Sequence, residues 1–272
     1  MDYYILIFGI VLLIMMWRTL VIFRRAIGAL QQEADVISPI LDEFKGKAFR
    51  AALLGNFLAA AINGLIAWLV FQSISSLHVI TLAPYVFLIS QSGIMWGLPA
   101  LFLGLFLAPV TARPLINKLL GEEQWRLFIA NKIRAEGSHS FTVLGHLGYI
   151  LIPVCFIFTF LSLDNHFTVT EKSVVYNGFD SVGSTEYPFN QITEIKLFTS
   201  FEAPNGNIVA KSHYCLSFSD GTVYDFFHTL PANELNFEQQ TQLVNFIVKA
   251  SKAKVITYEN YPAKGNKCLA ST

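Results

Sequence analysis

The hydrophobic positions of this chain follow two rhythms. Through residue 163 they come in long runs, near 3–23, 51–74, 83–110 and 141–163, and after it in short bursts. A helix needs about 20 consecutive apolar residues to cross the hydrocarbon core of a bilayer. The four runs therefore predict four membrane-spanning helices, with both termini on one side. The bursts "HFTVT", "SVVYNG", "QITEIKLF", "HYCLSFSDG" and "TVYDFFHT" are rich in β-branched and aromatic residues and are separated by Asn, Gly, Asp and Pro, which predicts a ladder of antiparallel strands. Asp220-Gly221 supplies the clearest hairpin turn. Downstream, Leu235, Leu243, Phe246, Ile247 and Ala250 share one helical face. The predicted fold class is an α-helical integral membrane protein with four transmembrane helices (1–163), a small C-terminal antiparallel β-domain closed by one helix (164–257), and a tail without structure (258–272).

Composition agrees with the pattern. Only 14% of the 272 residues are charged, against about 25% in soluble domains. The distribution of charge carries more information than its net value of zero. Segments 24–50 and 111–140 each hold five Lys or Arg, whereas the connection 73–82 holds none. Basic residues in short loops stay in the cytoplasm. Both charged loops are thus expected to be cytoplasmic, with the N-terminus, the 73–82 loop and the C-terminal domain on the other side. Only Met1 and Asp2 precede the first run and its positive charges follow it, so it reads as a retained anchor rather than a signal peptide.

Each charged loop also carries helical periodicity. Ser38 is a candidate N-cap with Pro39 at the first helical position, followed by Leu41 and Phe44 on the face of Ile37. Trp125, Phe128, Ile129 and Ile133 form a second apolar face flanked by Arg126, Lys132 and Arg134. Such a helix suits the headgroup region of anionic lipid, and it equally suits packing on its own bundle.

The strand ladder with its Tyr187-Pro188-Phe189 step, then "QITEI", a long strand ending in "FSDG", another strand and a closing helix resembles the bacterial pleckstrin-homology-like domains attached to membrane helices. The match covers about 164–257. The resemblance implies a bent, partly closed sheet plugged by the last helix, acting as a binding or assembly module in a bacterial inner membrane protein. It also implies a cytoplasmic domain, which conflicts with the charge asymmetry. The asymmetry is followed here because its physical cause acts on this chain. Phosphoinositide-binding members carry several basic residues around the first hairpin, as charge-assisted bonds to phosphate require. Here Lys172 stands alone beside Glu171, so no phosphate pocket carries over.

Candidate chemistry is sparse. Polar residues inside the apolar runs need partners in lipid. Arg18, near the end of the first run, can snorkel to the headgroups. Asn56 and His146 each lie about 8 Å inside their spans at 1.5 Å per residue, with Gly104 at about 9 Å. A hydrogen bond between Asn56 and His146 beside that glycine is the most specific contact the spacing predicts, as helix glue or as a site. Asn63 and Gln91 are the other intramembrane polar residues. Gly93, Gly97 and Gly104 on the third span, and Gly55, Ala59 and Ala67 on the second, predict close helix packing.

No GxSxG, HExxH, Walker or dinucleotide motif is present, and His213 and His228 have no carboxylate or cysteine at ligand spacing. Cys155, Cys215 and Cys268 are scattered, predicting neither a zinc site nor a disulfide framework. From 164 onward eight lysines stand against eleven acids, a net of minus three, the wrong sign for nucleic acid. No catalytic residue, metal or cofactor is indicated. The sequence predicts a non-enzymatic membrane scaffold or binding protein. Its expected partners are membrane lipids, a membrane or envelope protein, or a second copy. The alternative is a small transporter or channel unit regulated by the β-domain, a reading weakened by the lack of Asp, Glu and Lys in the cores of the runs.

Overall fold

The computed structural model describes residues 3–82, 84–90, 95–137, 139–179, 183–203, 205–226, 237–261 and 268. The chain divides into a helical unit, Asp2–Thr81 with Gly93–Ser162, and a β-unit, Leu82–Ser92 with Leu163–Thr272. In the helical part, α1 (Tyr3–Ile37) passes into a 3₁₀ turn, Ser38–Glu43. A short α2 (Phe49–Ala52) leads through a π-helical turn, Leu53–Leu58, into α3 (Ala59–Thr81). The remaining helices are α4 (Gly97–Leu120), α5 (Glu122–Glu136) and α6 (Ser140–Asp164). Among the described residues, four helical segments are long and apolar enough to cross a membrane: Tyr3–Glu43, Phe49–Thr81, Gly97–Leu120 and Ser140–Asp164.

Several of the expected boundaries move, and the expected 73–82 connection is helical as far as Thr81, where α3 ends. The 35 residues of α1 make a rod of about 52 Å, well beyond the roughly 30 Å of a hydrocarbon core. Most of segment 24–50 and the start of 111–140 therefore continue helices rather than form loops, and Ser38 makes no capping bond because α1 runs straight into its turn. The expected third span, 83–110, is only partly helical. Phe87–Ser90 is a strand and the helix begins at Gly97. A short apolar run such as "YVFLIS" has the same hydropathy whether it is a buried strand or a helix segment, and periodicity alone does not separate them.

Small residues set the packing of the helical unit. A Cβ on Gly104 would lie 2.5 Å from the carbonyl oxygen of Ala60 and 2.9 Å from Cα of Gly64, so α3 and α4 cross backbone to backbone. Gly145 and Gly148 of α6 likewise make room for Ile27 and Phe23 of α1. Beyond this region a polar-ended core forms from Leu30, Ala34, Ala112 and Ile116 with Trp125, Phe128, Ile129 and Ile133. The apolar face of α5 is therefore spent on its own bundle, with Trp125 only 1% exposed.

In the β-unit, β1 (Phe87–Ser90), β2 (His166–Val169), β3 (Ser173–Asn177) and β4 (Thr185–Pro188) form an antiparallel sheet in that order. A second sheet follows from β5 (Ile192–Glu202), β6 (Ile208–Val209), β7 (His213–Phe218) and β8 (Val223–Asp225), in the order β6-β5-β7-β8. Gly221, at φ +85°, turns β7 into β8 where the Asp-Gly pair predicts it. After α7 (Phe237–Ser251) the chain adds β9 (Lys254–Tyr261), parallel to β5. Leu243 and Ile247 of α7 enter the sheet core with Phe167, Ile195, Leu216 and Tyr224, and Phe246 packs beside it; Leu235 lies outside the described residues. The expected structureless tail is corrected as far as Tyr261, which closes β9, and at Cys268, which is covalently tied to the sheet.

Candidate functional site: an amphipathic chamber around the π-turn

A concave feature of the helical unit that joins charged and apolar walls forms where α5 meets the start of α2. Asn131 of α5 donates to the carbonyls of Gly46 (3.3 Å) and Leu127 (3.0 Å), and Arg134 donates to the carbonyl of Leu41 (3.3 Å). These bonds pin the segment before α2, which carries the exposed Lys47, and Arg50 follows on α2 itself. The π-turn comes next. It fits one extra residue into the helix, a feature that recurs at functional sites. At its centre Gly55 lies against α5, since a Cβ there would sit 2.9 Å from the Phe128 ring and 3.3 Å from Ile116. Asn56 follows and borders two cavities. One, of about 420 Å³, is lined by Lys47, Phe49, Asn56, Phe128, Asn131, Lys132 and Glu136. The other, of about 360 Å³, shares Asn56, Phe128 and Lys132 and is otherwise walled by apolar residues including Leu105, Phe106, Phe141, Leu144 and Leu147. Lys132 is paired with Glu136 at 3.5 Å.

The residues singled out in the sequence are distributed differently from the expected pair. His146 does not meet Asn56: its Nδ1 bonds the carbonyl of Thr142, one turn back on α6, at 2.8 Å. The reason is helical phase. Gly145 and Gly148 face α1, and at about 100° per residue His146 is turned off that face and exposed. Asn63 instead donates to the Thr111 hydroxyl at 3.0 Å, joining α3 to α4. Thr111 falls in a segment read as loop from the sequence, which hid the pair. Gly104 is at the helix crossing, whereas a Cβ on Gly97 would meet nothing within 4 Å. Gln91, Gly93 and His228 lie outside the described residues.

Sequence reasoning also missed a polar network beside the chamber. Glu33 of α1 accepts from the Trp125 indole (2.6 Å) and pairs with Arg113 of α4 (2.7 Å). Glu122 accepts from Asn117 (2.6 Å) and lies 3.9 Å from both Arg113 and Arg126. The charges occupy the helical extensions beyond the expected span ends, where a linear reading sees only a charged loop.

The β-unit holds a second cluster. Cys215 of β7 is disulfide-bonded to Cys268, across 53 residues, with Cα atoms 5.9 Å apart. The expectation of no disulfide is thus overturned: spacing in sequence does not reveal that the fold brings Cys268 to β7. Buried Lys196 donates to the carbonyl of Cys268 at 2.9 Å, and the Tyr261 hydroxyl donates to Asp225. Burial, and then the adjacent carboxylate, push the Tyr261 phenol well above its ordinary range. His213 packs between the rings of Phe201 and Tyr261. Cys215, Cys268 and Asp225 present atoms within 4.8 Å of one another, but sulfurs joined in a disulfide are not thiolate ligands. No protein-family model, curated protein or solved structure matches the chain.

Proposed function

We propose that this is a non-enzymatic integral membrane protein of the bacterial inner membrane, an anchored binding or scaffold module. Its helices span the bilayer, and its β-unit faces the non-cytoplasmic side to engage a membrane or envelope protein, a second copy or lipid headgroups. The four apolar helices suggest a membrane protein. The pairing of β1 with β2 supports the sidedness: Phe87–Ser90 follows the connection without Lys or Arg and shares a sheet with the C-terminal strands, so the two belong on one face. The observation that carries the reading is the Cys215–Cys268 disulfide, because such bonds persist in oxidising compartments and are rare in the cytosol. The two sheets followed by α7 support the pleckstrin-homology-like reading, with β9 as an addition to that pattern.

A membrane-impermeant maleimide tests the sidedness. Asn205→Cys in the exposed β5–β6 turn should label on spheroplasts without lysis. Labelling only after lysis would place the β-unit in the cytoplasm. A photo-crosslinker at the same turn should then recover one stoichiometric membrane partner or a second copy if the unit is a scaffold.

A further inference from the structure

We infer that the chamber around Asn56 is a binding site for one anionic phospholipid, its phosphate held by Lys47, Arg50 and Lys132 and one acyl chain in the apolar cavity. The inference rests on the helices lying in a bilayer, as proposed above. The two cavities adjoin, sharing Asn56, Phe128 and Lys132 in their linings, so a single ligand that reaches both would be polar at one end and hydrocarbon at the other. Charge complementarity sets the polar end. Lys47 and Lys132 line the outer cavity, and Lys47 with Arg50 lines an adjoining hollow of about 470 Å³ that also shares Phe49. Glu136 is the acid on this rim, and its carboxylate is already occupied by Lys132. The Asn56 side chain makes no hydrogen bond to a described residue, which leaves its amide for a phosphate or glycerol oxygen.

The inner cavity decides between a lipid and a free anion. Apart from Asn56 and Lys132 its lining is apolar, with Leu105, Phe106, Phe141, Leu144 and Leu147, a surface that suits hydrocarbon, and a free phosphate would leave it empty. Pockets of this size with apolar walls and a few placed polar groups are the usual form of small-molecule sites. In the proposed orientation the basic rim is cytoplasmic, at the leaflet surface where anionic headgroups and Lys or Arg attract each other.

The test uses the full chain in detergent, with native mass spectrometry after addition of phosphatidylglycerol or phosphatidylcholine of identical chains. One phosphatidylglycerol should be retained about tenfold better than phosphatidylcholine. A Lys47→Gln, Arg50→Gln, Lys132→Gln variant should retain the two equally. Lys132→Arg should keep the preference. Glu136→Gln, which frees Lys132, should strengthen it, a gain that misfolding would not produce. Equal retention of both lipids by the wild-type protein would overturn the site. Displacement of phosphatidylglycerol by an equal concentration of glycerol phosphate would also overturn it, in favour of a free-phosphate site. Carbonate extraction separates this from the parent reading: a protein released from membranes at high pH would sink the membrane placement itself, whereas one that stays and shows no lipid preference sinks only the lipid site.

Discussion

At the scale of single residues, the helical unit distinguishes glycines that are used from glycines that are not. Gly104 admits the backbone of α3 to within a distance that no side chain would tolerate, whereas Gly97 has open space where a Cβ would go. Gly104→Ala forces α3 and α4 apart and is expected to cost about 1–3 kcal/mol, as overpacking does. Gly97→Ala should fall within about 0.5 kcal/mol of wild type. Thermal unfolding in detergent measures both, and equal effects would contradict the crossing. The sequence identifies Gly104 and Asn63 as packing and polar positions, but it does not reveal their neighbours. Gly64, Ala60 and Thr111 become partners only through the crossing of α3 with α4, and nothing in their local pattern distinguishes them from Ala67 or from the charged segment after 110. Asn56 was legible as a polar residue in an apolar run. Its setting was not, because the π-turn that places it between two cavities has no periodic signature.

At the scale of elements, the strand ladder, the Asp-Gly turn and the face of α7 follow from alternation and turn chemistry. β1 and β9 do not, because each is recruited from a distant part of the chain. In chain order β1 falls between α3 and α4, and β9 follows the helix expected to close the domain. β9 is held at its end by the bond from Tyr261 to Asp225, and the burial of that phenol, with the bond beside it, makes the β-unit sensitive to alkali. The unfolded phenol ionises at 10.0, while the folded one keeps its proton to higher pH. The folded state therefore binds more protons than the unfolded state above pH 10. The contribution is complete below that value and declines above it by about 1.4 kcal/mol per pH unit until the folded group also ionises. Urea unfolding of the full chain at pH 9 and pH 11, followed by tyrosine emission, should show this loss in wild type. Tyr261→Phe should remove that part of the slope, and an unchanged slope would show that the Tyr261 phenol is not held protonated by its surroundings.

At the scale of the whole molecule, topology and redox chemistry constrain the same unknown. In the proposed membrane placement the connection between α3 and α4 and the chain after α6 emerge on one side, in agreement with the β1–β2 pairing. In the proposed reading the disulfide selects the non-cytoplasmic side. The 53-residue separation that it closes should contribute about 4 kcal/mol through the unfolded chain, so the β-unit depends on reaching an oxidising compartment. Thiols in living cells report this directly. Cells are quenched in acid, the protein is denatured, and a maleimide of large mass is added with or without prior reduction. Of the three cysteines, Cys155 is free and the other two are bonded. A β-unit outside the cytoplasm should therefore give one mass addition without reductant and three after reduction. Three additions in both samples would mean that Cys215 and Cys268 are thiols in the cell. The domain would then sit in the cytoplasm, as its resemblance implies, and the charge asymmetry of the loops would have misled. Cys215→Ser separates the outcomes further: it should leave two additions with and without reductant, and it should speed hydrogen exchange in β9 only if the wild-type bond is present.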